Sequence, residues 1–151
     1  VPIKNNFKNV IFGTQLIKTK PMNLESPKVT VQKPAQYIFD ALSDVRNFEK
    51  LMPDNIAKFE VTGEESFIFA LKGMPEIKLK MKEKQAPNKL VLGAASDKLP
   101  FSLTANINST GDNSCDIQLL FDGEFNAMMA MMVKGPITKF IETLAANMHK
   151  L

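Results

Sequence analysis

One cysteine and one histidine in 151 residues remove most metal and covalent chemistry at the outset. Cys115, being alone, can form neither an intrachain disulfide nor part of a multi-cysteine zinc site, and reads as a small apolar residue in a strand. No stretch approaches the ~18 to 20 apolar residues of a membrane span. No continuous apolar run of ~7 to 15 residues marks an export signal, so the cytoplasm is the expected compartment. Charge of one sign is also missing from the body of the chain. Of the +3 net charge, Lys4, Lys8, Lys18 and Lys20 supply four positive units in a segment with no acid, which leaves 15 basic against 16 acidic residues over 22–151. Such a near-neutral body has no global field to draw it to nucleic acid.

What is there is the composition of a globular domain: 44% hydrophobic and 23% charged residues, in a chain long enough to bury a core. Residues 1–21 are read as a basic N-terminal extension, flexible or non-native, ahead of a domain over 22–151. A basic arm touching anionic lipid or a partner is the functional alternative for that segment.

Periodicity sets out the elements. Val29 to Val31 read as a strand introduced by "SP". In "KPAQYIFDALSD", Pro34 stands at the first helical position and Ile38, Phe39 and Leu42 follow at helical spacing. Asp44 can cap a second short helix carrying Val45, Phe48, Leu51 and Met52, which Pro53 closes. From Ile56 the period becomes two, giving strands through Ile56–Thr62, Phe67–Leu71, Ile77–Lys84, Leu90–Ala94, Phe101–Asn108 and Cys115–Phe125. The "APNK", "SDKLP" and "STGDNS" turns among them are short, so an antiparallel meander is expected.

The last element runs from about Asn126 to Leu151. After Pro136, residues Ile137, Phe140, Ile141, Leu144, Met148 and Leu151 share one helical stripe, with Lys139, Glu142, Thr143 and Lys150 opposite. Before the break expected at Gly135 and Pro136, "AMMAMMVK" is apolar all round except for its lysine. Such a turn must be buried on several sides or form part of a mouth.

The segment "VTVQKPAQYIFDALSDVRNFEKLMPD" resembles the strand, Pro-initiated helix and "sDv.ny..l.P" pattern of START-like domains of the SRPBCC superfamily. It is particularly similar to the polyketide cyclase and coenzyme Q-binding-type branch, and the order of elements extends the resemblance over residues 22–151. This resemblance implies an α+β helix-grip fold: a curved antiparallel sheet of about seven strands, two short helices after the first strand, and a long C-terminal helix packed across the sheet. It further implies a cavity between sheet and helix that takes lipids, quinones or polyketide-like molecules, with catalysis in a minority of members.

Wall chemistry comes from the residues themselves. The side chains expected to face inward are Phe67, Phe69, Leu71, Ile77, Leu79, Met81, Leu90, Leu92, Phe101, Leu103, Ala105, Ile107, Ile117, Leu119 and Phe121, none of them polar. Met129, Met132, Val133 and Phe140 complete the expected ligand wall from the last helix, with Met52, Pro53, Met74 and Met128 at its entrance. Tyr37 and Arg46 are the candidate polar anchors.

His149 falls opposite the apolar stripe near the chain end and reads as a solvated residue. Asp122 and Glu124 read as an outward edge, so no catalytic residue is expected. The methionines diverge around a helix with no histidine or cysteine nearby, so no metal or other cofactor is expected either. The lysines of "KLKMKEK" (Lys78, Lys80, Lys82, Lys84) form a solvated outer face, with transient contact to an anionic membrane surface as the sharper reading. No aromatic is interleaved with them, which disfavours single-stranded nucleic acid.

The expected function is non-catalytic binding or transport of a hydrophobic small molecule. The alternatives are a cyclase- or hydrolase-type enzyme on a hydrophobic substrate, and a protein-interaction module with a filled cavity. Burying ten methylenes gains roughly 8 kcal/mol gross, against about 4 to 15 kcal/mol of association costs. Affinity near micromolar suits a carrier.

Overall fold

Every strand that period-two alternation predicts is formed, and two more precede them. The computed structural model describes residues 9–12, 15–74, 76–95 and 101–151, the side chains of 9–12 and 15–20 excepted. The strands are β1 (Asn9–Phe12), β2 (Gln15–Glu25), β3 (Val29–Val31), β4 (Ile56–Gly63), β5 (Ser66–Leu71), β6 (Ile77–Gln85), β7 (Lys89–Ala94), β8 (Phe101–Gly111) and β9 (Ser114–Asn126). They form one antiparallel sheet in the order β1-β2-β9-β8-β7-β6-β5-β4, with β3 also paired to β9. The turn expected over residues 96–100 lies outside the described residues, as does the leader over 1–8.

Among the described residues the sheet has nine strands, β1 and β2 adding to the seven expected, and the boundary expected between residues 21 and 22 falls inside β2. Ladder pairing satisfies backbone groups whatever the side chains do, so a segment without clear alternation can still be a strand. Its register on β9 runs from Thr19↔Asn126 to Glu25↔Leu120. Pro21, which has no N–H to give, sits beyond Asn9↔Lys18, the last β1 pair among the described residues.

Strands β2 and β3 occupy successive lengths of the same side of β9, separated by "SPK". Ser26 bridges the interruption. It is the buried polar residue among the described ones; its N–H donates to Leu119 O at 2.9 Å, and its Oγ accepts from Leu119 N at 2.9 Å.

Helix α1 (Ala35–Ser43) begins after Pro34, one position later than expected, and buries Ala35, Ile38, Phe39 and Leu42. Residues Val45–Leu51 form a 3-10 helix rather than an α-helix. At three residues per turn, i and i+3 eclipse, which puts Val45, Phe48 and Leu51 all inside. Asp44 caps it by accepting from Arg46 N at 3.0 Å.

Helix α2 (Ala127–Ala146) lies across the concave face of the sheet, capped by Asn126, whose side chain accepts from Met129 N at 2.8 Å. Two expectations are corrected here. No break occurs at Gly135 and Pro136: the helix runs through Pro136, although a proline there withholds the N–H that would reach Met132 O. Nor does the helix reach Leu151. It stops where Asn147 donates its side-chain amide to Leu51 O at 3.0 Å, and a 3-10 turn over Met148–Lys150 follows. Met148 and Leu151 are still buried, as their stripe requires. No described helix is long and apolar enough to cross a membrane.

Candidate functional site

Alternation on β5, β6, β8 and β9 sends one set of side chains to the concave face, and α2 covers them unevenly. Beneath its C-terminal half the layers close: Phe67, Ile117, Ile141, Leu144 and Met148 are essentially inaccessible. Beneath its N-terminal half they do not meet. A cavity of about 240 Å³ is left there, lined by Phe69, Leu71, Gly73, Met74, Ile77, Leu79, Phe101, Leu103, Phe121 and Phe125 from the sheet and its turns, and by Met129, Met132, Val133, Pro136, Ile137, Phe140 and Ile141 from α2.

Aromatic rings stand at both ends. Phe69 stacks on Phe140 with centroids 4.7 Å apart, and Phe121 lies between Phe101 at 5.4 Å and Phe125 at 6.2 Å. The second group depends on Gly123, where a Cβ would come within 2.8 Å of Phe125 Cε2 and 3.0 Å of Phe101 Cβ. A glycine is needed for that close approach.

Eleven of the nineteen side chains expected to face inward or to complete the wall line this cavity. The other eight, Phe67, Met81, Leu90, Leu92, Ala105, Ile107, Ile117 and Leu119, are buried core. Met81, Leu92 and Leu119 meet Leu42, Phe48 and Met148 around a void of about 10 Å³, too small for a ligand. They face inward on the same strands, but α1, the 3-10 helix and the chain end fill the space above them.

Among the expected entrance residues, Met74 lines both the cavity and an outer cleft shared by Pro53, Gly135 and Pro136. Met52 is buried, and Met128 is 73% exposed and away from the cavity. Met131 and Met132 are 84% and 64% exposed, so the Met-rich turn is largely on the surface rather than buried on several sides.

Neither candidate polar anchor reaches the cavity. Tyr37 is exposed on α1, with Lys33 Nζ 4.9 Å from its ring centroid. Arg46 lies in a separate surface hollow, its guanidinium bonded to Asp44 at 2.8 and 3.0 Å. That pairing holds the Asp44 carboxyl below its ordinary value and raises Arg46. His149 is exposed, its Nδ1 2.9 Å from Ala146 O.

Phe125, Pro136, Ile137 and Ile141 line the cavity without having been singled out as its wall. Phe125 continues the alternation of Phe121, and Ile137 and Ile141 belong to the apolar stripe, so the signal was present for all three. No cluster of metal-ligating side chains occurs among the described residues. On the outer face Lys78, Lys80 and Lys82 are exposed, while Lys84 pairs with Glu65 at 2.7 Å.

No protein-family model and no curated protein matches the chain. Solved structures do match. Norcoclaurine synthase from Thalictrum flavum superposes with a TM-score of 0.67 at 17% identity, covering 98% of this chain and 90% of that one. Its complex with dopamine and hydroxybenzaldehyde gives a TM-score of 0.65 at 16% identity, with 98% and 90% coverage. A START superfamily protein from Mycobacterium smegmatis gives 0.62 at 14% identity, covering 86% and 94%. The fold is START-like. Antiparallel sheet, curved grip and long C-terminal helix agree throughout, and the START-like neighbours match at identities too low to carry any residue's role across.

Proposed function

We propose that this START-like chain binds and carries a hydrophobic small molecule, without catalysing a reaction on it, in the cavity between the sheet and α2. The observation that supports this most directly is the lining: none of the described side chains around the cavity is titratable or bears a hydroxyl. General acid or base chemistry needs such a group within hydrogen-bond reach of the substrate. Apolar burial needs none. Lipid, quinone and polyketide-like molecules share the required apolar surface, and the cytoplasm is the proposed compartment.

Native mass spectrometry of protein purified without detergent, followed by organic extraction, tests the reading. A stoichiometric apolar molecule is the expected result. An empty protein that takes up no apolar compound at tens of micromolar would overturn it.

The exposed methionines Met128, Met131 and Met132 favour a second reading, in which this turn is a pliable surface for a protein partner. A partner complex that survives blocking of the cavity would support that reading instead. Lys78, Lys80 and Lys82, for which no ion pair occurs among the described residues, would add transient contact with an anionic membrane. Cosedimentation that does not depend on the anionic lipid content of vesicles would remove that addition.

A further inference from the structure

The carrier reading leaves the ligand class open, and the cavity's volume and wall narrow it. A dry cavity of about 150 Å³ admits benzene, whereas drug-sized ligands occupy about 300 to 1,000 Å³. The present cavity, at about 240 Å³, lies between the two. It has room for more than one ring and too little for a long acyl chain.

Its shape is set by flat surfaces. Phe69 and Phe140 stack within 5° of parallel at one end, and Phe121 and Phe125 are within 11° at the other. Ring faces and edges accept further aromatic groups in offset or edge-on contact. Met74, Met129 and Met132 stand among them, with soft thioethers suited to ring edges.

Polarity is decided by what the wall lacks. The strand backbone beneath the cavity is committed to the ladder, as in Phe67↔Leu79 and Leu103↔Phe121. Tyr37 and Arg46 are turned to solvent elsewhere. A hydroxyl carried into this space loses its water without gaining a partner, and a carboxylate loses far more.

Resting on the carrier reading, we infer that the cavity selects uncharged aromatic molecules of about ten to fourteen non-hydrogen atoms and discriminates against the phenols, carboxylates and long-chain acids of comparable apolar character. Selectivity here comes from uncompensated desolvation rather than from any recognition group.

The test uses the 151-residue chain with ¹³C-methyl-labelled methionines, titrated at pH 7 with naphthalene, 1-naphthol, 1-naphthoate and palmitate. Naphthalene is expected to shift the methyls of Met74, Met129 and Met132 and to leave those of Met128 and Met131 in place. Naphthol should bind about 10-fold more weakly, and naphthoate about 100-fold or more. Palmitate should produce no shift at the three cavity methyls. Val133→Phe and, should that variant fold poorly, Ile137→Phe should fill the space and abolish the naphthalene shifts.

Naphthoate or palmitate binding at these methyls as tightly as naphthalene would overturn the inference and leave the carrier reading intact. No shift with any of the four would overturn both.

Discussion

The rings of Phe69 on β5 and Phe140 on α2 stack with centroids 4.7 Å apart and planes within 5°. This contact ties the last helix to the far side of the sheet and forms one end of the cavity. Phe140→Ala should destabilise the fold by about 3 to 5 kcal/mol, as large-to-small changes in cores do. A double-mutant cycle with Phe69→Leu and Phe140→Leu should show coupling of about 0.5 to 1.5 kcal/mol. Denaturant unfolding measures both, and strictly additive losses would deny the stack any special weight.

Ser26 holds together the interruption between β2 and β3. Ser26→Ala removes the acceptor for the Leu119 N–H, a buried group. The expected cost is about 1 to 3 kcal/mol, read by thermal or denaturant unfolding. Hydrogen exchange should quicken at Leu119 in particular.

Gly135 lies in the middle of α2 directly before Pro136, and a Cβ built there meets nothing within 4 Å beyond its chain neighbours. Gly135→Ala should give less than the ~0.5 to 1 kcal/mol of stabilisation that helix propensity alone supplies, because the proline ring crowds the Cβ of a helical residue before it. A full gain of about 1 kcal/mol in denaturant unfolding would mean that the ring leaves room for that Cβ.

Exposure orders the methionines for oxidation. Hydrogen peroxide should convert Met128, Met131 and Met132 to sulfoxides well before the buried Met22, Met81 and Met148. Peptide mass mapping over time reads the order. Because Met132 also lines the cavity, its sulfoxide should weaken naphthalene binding, and Met132→Leu should protect against that loss.

Cys115 is buried, and desolvation, with the neighbouring Asp116 charge, raises its thiol above the ordinary value of 9.0. The unfolded chain therefore loses this proton first, so stability should fall as pH rises above about 9. Stability measured across that range should decline less steeply in Cys115→Ala than in the parent. The native thiol should also resist thiol reagents at neutral pH except through unfolding.

Alternation over Ile77 to Met81, the stripe from Ile137 to Leu144 and the Pro34 helix start were enough to locate the strands from β3 to β9, the first helix and the last, and the apolar character of the face between them, but not β1 and β2. Those patterns follow from backbone geometry, with periods of 2.0 and 3.6 that operate residue by residue. They also established that Leu79, Met81, Leu103 and Leu119 share one face. Which of these stand in open space was left to tertiary structure. Leu79 and Leu103 border the cavity, whereas Met81 and Leu119 are roofed by α1, Phe48 and Met148. Periodicity fixes a direction, but an opening depends on the distance between layers, which is set by how side chains far apart in sequence fill the gap. The same reason placed Tyr37 and Arg46 outside: their helices were legible, but the side of each helix that met the sheet was decided by the burial of Ile38, Phe39, Leu42, Val45 and Phe48.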